Sequence, residues 1–234
     1  MARNTKQMDG ADLRRLLGKL DEKLVARGGR ASMYVVGGAN IALSLDARRT
    51  TFDIDAVIQS GRAELLEAAK EVAAGEDGLG EDWPNTAFTD YGEGGITWQW
   101  FDRKELDQPT TAFQGRALTV ELASPEMMLA LKTLAGRPQD WDDAYKLMRL
   151  TGIRTPEQLG RNLARFTGER IFRAQGGPGM FLRIDPEFKE LLANAPADLR
   201  PPARPARREA GGRCRLGRLA SRFRLGRRPG AGGT

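Results

Sequence analysis

A short apolar run that ends in two glycines and passes at once into a short helical pattern constrains the fold more than any other part of the chain. Met33-Tyr34-Val35-Val36 has the make-up of a strand, Gly37-Gly38 breaks it, and Ala39 to Leu45 reads as a short helix. From Arg49 to Ile58 the sequence RTTFDIDAVI alternates. Phe52, Ile54, Ala56 and Ile58 are expected on one face of a strand, and Thr51, Asp53, Asp55 and Val57 on the other. Strand, glycine turn, helix and strand in so short a span call for an α/β (α+β) chain with a mixed sheet.

The flanking sequence fits that frame. Leu13, Leu16, Leu17, Leu20 and Leu24 recur at helical spacing, with Asp9 and Asp12 as candidate caps and Gly28-Gly29 as the stop. Arg62 to Ala74 is a second helix, and Glu76 to Asn85 a loop rich in glycine and acids. Ile96, Trp98 and Trp100 alternate with Thr97 and Gln99, and Ala117 to Leu122 is apolar, so both are expected as strands. Ser124-Pro125-Glu126 starts a helix to about Gly136, with a hydroxyl cap, a proline in the first turn and an acid at the positive end of the dipole. Asp140 to Leu150, Thr155 to Phe166 and Pro186 to Ala193 supply three more. The expected organisation is a core over 1–122, a helical region over 123–195 and a tail over 196–234.

That tail holds 11 Arg against Asp198 and Glu209, with seven Gly and five Pro, and is expected to stay disordered. Its balance of +9, set against +6 for the whole chain, leaves −3 for residues 1–195. An arginine-rich segment can hold phosphate backbones, and a solvated extension or a degraded reading frame are the competing readings. No apolar run approaches the roughly 20 residues that cross a bilayer, and MARNTKQMDGADLRR has no signal-peptide centre. A cytoplasmic chain with no membrane partner is expected.

Composition narrows the chemistry. With no histidine there is no Ser-His-Asp triad and no imidazole metal site, and with Cys214 alone there is no internal disulfide or CxxC motif. Carboxylates, lysine, arginine, hydroxyls and backbone amides remain. Asp53 and Asp55, at i and i+2 on a strand, share a face with alpha carbons about 6.5–7 Å apart. Such a pair can hold magnesium, which prefers hard oxygen ligands and bridges nucleotide phosphates. Solvent-facing acids on an edge strand are the competing reading. Gly37-Gly38 opens a helix whose backbone N–H groups could cradle a triphosphate, where a plain strand-to-helix turn is the alternative.

Together these segments resemble the nucleotidyltransferase superfamily of the DNA polymerase β type, and within it the bacterial AbiEii/MenT-like toxin group. The likeness covers roughly residues 10–170, through VVGGANIAL, RTTFDIDAVI, SPEMMLALKTLAGR and DWDDAYKL. The family's glycine turn and DxD fall on Gly37, Gly38, Asp53 and Asp55, with Arg49 and Thr51 between them. Its K-x-L-A-x-R falls on Lys132, Leu134, Ala135 and Arg137, and its D-x-x-D on Asp140 and Asp143.

The resemblance implies transfer of a nucleoside monophosphate from an NTP to a hydroxyl, with Mg2+ on Asp53 and Asp55. It implies triphosphate contacts from Gly37, Gly38, Arg49, Thr51, Lys132 and Arg137, and a general base or orienting role for Asp140. A tRNA 3′ end as acceptor and an antitoxin protein as partner belong to the toxin group. A protein hydroxyl or a small molecule such as an aminoglycoside are other acceptors. Lys132 as a snorkelling surface lysine, and Arg137 paired with Asp140 or Asp143, are the structural alternatives. Two departures stand out. Glu121 is the only candidate for the third metal-binding carboxylate of many members, and Ala39-Asn40 stands where a phosphate-binding hydroxyl is common. A non-catalytic module that binds nucleotide, RNA or protein is the rival reading.

Overall fold

The computed structural model describes residues 4–86, 104–135, 140–174 and 193–199. All belong to one unit spanning Met1–Pro201. The described residues contain six helices, α1 (Gly10–Ala26), α2 (Gly37–Ser44), α3 (Arg62–Ala74), α4 (Pro125–Ala135), α5 (Trp141–Thr151) and α6 (Pro156–Ala174). Five strands, β1 (Ala31–Val35), β2 (Ile54–Ser60), β3 (Pro84–Asn85), β4 (Thr110–Gln114) and β5 (Leu118–Leu122), form one mixed sheet in the order β3-β2-β1-β5-β4. β1 runs antiparallel to β2 and parallel to β5, β3 is parallel to β2, and β4 is antiparallel to β5.

The sheet separates two apolar cores. On one face Met33, Val35, Ile54, Ala56, Val120 and Leu122 pack against the leucine stripe of α1 and against Leu65, Ala69 and Val72 of α3. Each fully buried leucine of that stripe contributes about 1.5–3 kcal/mol. Asp9 caps α1, its Oδ1 accepting from the N–H groups of Ala11 and Asp12 at 2.9 Å. The other face carries Tyr34 and Val36, which pack with Met127, Met128 and Leu131 of α4, Leu147 and Met148 of α5 and Phe166 of α6. Residues from both sides of position 122 therefore share this second core.

Several expectations change. The strand expected from Arg49 begins only at Ile54, because Phe52 and Asp53 form a bend; Phe52 leaves the apolar face and is 48% exposed. The expected loop over 76–85 ends in β3, and β4 had no alternation strong enough to announce it. α6 runs eight residues past Phe166, to Ala174. The tail starts later than position 196: Ala197–Leu199 is a 3-10 turn, Leu199 is fully buried in the second core, and Asp198 accepts from Arg149 Nε at 2.8 Å. The expected strand around Trp98 and Trp100 and most of the helix over 186–193 lie outside the described residues.

Candidate functional site

The turn between β1 and α2 is built for close approach. Gly37 has φ +67°, and a Cβ there would fall 2.3 Å from Asp55 Oδ2. Only glycine lets the turn lie against that carboxylate. A Cβ on Gly38 would meet Thr51 Oγ1 at 3.0 Å. The strand registers explain the proximity. Val35 pairs with Ala56, and the Val36 N–H donates to the Asp55 carbonyl at 2.9 Å, so the glycines leave β1 beside Asp55.

Asp53 lies in the bend before β2 and Asp55 within it, yet the carboxylates still converge. One amide nitrogen, Asn85 Nδ2, donates to Asp53 Oδ2 at 3.0 Å and to Asp55 Oδ1 at 2.9 Å. Asn85 pairs directly with Asp55 in the parallel β2–β3 ladder, which turns the two side chains to the same face. The Thr51 hydroxyl lies near the same bend, donating to the Asp53 carbonyl at 3.1 Å with Asp53 Oδ1 at 3.4 Å. Gly37, Gly38, Arg49, Thr51, Asp53, Asp55 and Asn85 are all half-buried.

Behind this rim sits a buried charged cluster. Lys132 Nζ on α4 donates to Asp140 Oδ1 at 2.5 Å and to Asp143 Oδ2 at 3.1 Å. The three side chains are 8%, 6% and 3% exposed. Arg49 reaches Asp143 from the other side, Nε to Oδ1 at 3.4 Å, while its Nη1 donates to the Thr50 carbonyl at 2.6 Å. Lys146 of α5 adds a second tie to the same loop, donating to Asp46 Oδ2 at 2.7 Å. The Lys132 ammonium is thus given to carboxylates, and Asp140 is buried against it. Arg49, 36% exposed, keeps an outward share beside the acids. Arg137 lies outside the described residues.

Glu121 is on the Asp55 side of the sheet, since Asp55 and Val57 alternate together and Val57, Tyr34 and Glu121 are in register. β1 lies between β5 and β2, and the Glu121 side chain crosses it to meet β2 at Gln59, beyond Asp55, its Oε2 accepting from Gln59 Nε2 at 3.2 Å. Among the described residues, no group of three or more His, Cys, Asp or Glu is arranged to hold a metal. Asn40 has a framework role: its Nδ2 donates to the Val35 and Ala123 carbonyls, both at 3.0 Å, tying α2 to the ends of β1 and β5.

Sequence reasoning missed Asn85 and the pairing of Lys132 with both aspartates. Asn85 closes a loop with no periodicity, and the local sequence carries no signal for it, since only the β2–β3 register brings it beside Asp55. The chain matches no family model, no curated protein and no solved structure. Among the described residues, no helix is long and apolar enough to cross a membrane.

Proposed function

We propose that the chain is a Mg2+-dependent nucleotidyltransferase of DNA polymerase β type, moving a nucleoside monophosphate from an NTP to a hydroxyl. The observation that carries this reading is the convergence of Asp53 and Asp55 on one Asn85 amide, beside a turn where a Cβ on Gly37 would strike Asp55 Oδ2.

The donor set suits magnesium, which takes hard oxygens and commonly binds through one or two carboxylates plus substrate phosphates. Asp53 and Asp55 would hold it, and when bound it supplies charge neutralisation at the transferring phosphoryl group. The protein's own share is positioning. The Gly37-Gly38 turn leads backbone N–H groups of α2 toward an anion without a side chain in the way. α2 has no side-chain cap of its own at Val36. Arg49 offers a fork-shaped donor from the loop before the acids, and Asp143 holds its inner edge. A tRNA 3′ end is the acceptor suggested by the likeness to the toxin group, with an antitoxin protein as partner.

A second reading, a non-catalytic nucleotide-, RNA- or protein-binding module, is favoured by one observation. Lys132 spends its ammonium on Asp140 and Asp143. Incubation with each labelled NTP, Mg2+ and total tRNA separates the two. Transfer should occur with the parent chain and fall by orders of magnitude in Asp55→Asn, because several kcal/mol of charge stabilisation disappear. Full activity in that variant would sink the enzyme assignment of Asp55, and NTP binding without transfer to any hydroxyl would support the module.

A further inference from the structure

We propose that Asn85 is itself a ligand in the cation site, supplying through its side-chain oxygen a third hard donor where, among the described residues, no third carboxylate is grouped with Asp53 and Asp55. The inference rests on the reading of Asp53 and Asp55 as cation ligands. Its starting point is the placement of a single nitrogen. Asn85 Nδ2 lies within 3.0 Å of a carboxylate oxygen of each aspartate, so the positive end of an amide dipole occupies the space between two like charges. A cation drawn to both carboxylates would compete for that space.

The amide has a second face. Rotation about its terminal torsion exchanges nitrogen and oxygen with almost no change of shape, turning a two-proton donor into an acceptor with two lone pairs. Asparagine carbonyls are ordinary ligands of hard divalent cations. The backbone supports this role, because Asn85 is locked in register with Asp55 by the β2–β3 ladder and its side chain starts on the same sheet face. Glu121, the other candidate third ligand, reaches across β1 but meets β2 at Gln59, further along the strand than Asp55, and accepts from that amide. The result is a site with charge −2 from the two aspartates and one neutral oxygen. Without the cation, the same amide relieves the repulsion between the acids by donating to both.

The two roles available to Asn85 predict effects of opposite sign. An amide that serves only as a donor competes with the cation, so its removal should tighten cation binding. An amide that turns to become a ligand loses a bond on removal, so binding should weaken. The test is titration of the full chain with Mn2+ alone, without nucleotide, read by the paramagnetic signal of free Mn2+, with melting temperatures in the metal-free state as the folding control.

Asn85→Ala should weaken Mn2+ binding about tenfold or more. Asn85→Asp, which adds a third carboxylate, should tighten it and melt lower than the parent when metal-free, with Mn2+ restoring the difference. Equal or tighter binding by Asn85→Ala overturns the proposal. If that variant does not fold, failure of Asn85→Asp to bind more tightly overturns it instead. A parent chain that binds no Mn2+ overturns both this assignment and the cation reading beneath it. A parent that shows the expected pattern but transfers no nucleotide leaves Asn85 as a ligand and removes only the transferase reading.

Discussion

Glu76 shows how one side chain can set the acid response of a region. Its carboxylate accepts from Arg15, from Lys19 Nζ at 2.7 Å and from Lys6 Nζ at 2.6 Å, and it is 8% exposed while its partners are far more open. The Arg15 guanidinium first, then Lys19 and Lys6, hold the carboxyl well below the usual glutamate range. A carboxyl depressed in the folded chain binds fewer protons there than in the unfolded chain. Its stabilisation is therefore complete above the unfolded value of about 4.3 and lost as pH falls toward the folded one. Glu76→Gln should cost on the order of 1 kcal/mol at pH 7, since the cations are screened by water, and should show a shallower loss of melting temperature on acidification from pH 5 to pH 3. A deficit that stays constant over that range would refute the role. Gly37 makes a different demand. Gly37→Ala forces an L side chain into φ +67° and onto Asp55 Oδ2, whereas Gly38→Ala meets the Thr51 side chain, Oγ1 at 3.0 Å and Cβ at 3.2 Å, with no positive φ. Urea unfolding should rank Gly37→Ala below Gly38→Ala, with a loss of about 1–2 kcal/mol or more for the former. Equal stabilities would show that the turn tolerates a side chain after all.

At the scale of elements, charged side chains position α4 and α5 against the loop that leads to the acids. Lys132 joins α4 to Asp140 and Asp143, Arg49 brings the loop to Asp143, and Lys146 brings α5 to Asp46. Removing one partner from a buried group of this kind leaves uncompensated charge. Lys132→Met is expected to cost about 3–5 kcal/mol in urea unfolding, and adding Asp140→Asn and Asp143→Asn should recover much of it. A loss below about 1 kcal/mol would mean that the cluster is hydrated and carries no such weight. A similar device closes the β4–β5 hairpin. The Asp21 carboxylate on α1 accepts from the backbone N–H groups of Arg116, Ala117 and Leu118 at 3.1, 2.7 and 2.8 Å. Burial pushes its carboxyl up, and those three donors, Ala117 foremost, bring it below its ordinary range.

For the whole molecule, the uneven charge matters most. Pro202–Thr234 carries ten arginines against Glu209, a balance of +9, which leaves −3 for residues 1–201. If the acceptor is RNA, the basic stretch should supply salt-sensitive affinity that an acidic body lacks. A chain ending at Pro201 should bind tRNA more weakly and with a flatter dependence on salt. Equal affinities and slopes at two salt concentrations would show that the stretch is a solvated extension. The cut must follow Leu199, because ending at Ala195 removes a fully buried leucine and the Asp198 partner of Arg149, and that version should melt lower for reasons unrelated to RNA.

Local pattern was enough for whatever depends on neighbours along the chain. The leucine stripe of α1, the bounds of α3 at Arg62 and Ala74, the cap at Asp9 and the start of α4 at Pro125 were all legible, because helical period and capping act within a few residues. So was the neighbourhood of Gly37, Gly38 and Asp55, since β1, the turn, α2 and β2 follow one another directly. The bend at Phe52-Asp53 was not legible: the Met8–Thr51 bridge ends just before it, an interaction between residues 43 positions apart. Neither was Asn85, whose meaning comes only from its register beside Asp55, nor the engagement of Lys132 by two aspartates from the next helix. Hydrophobic period reports which side of an element turns inward, whereas a charged or amide group takes its role from whichever partner the packing brings within hydrogen-bond reach. That partner is chosen in three dimensions, so the sequence determined the elements and the tertiary structure decided which of their polar groups meet.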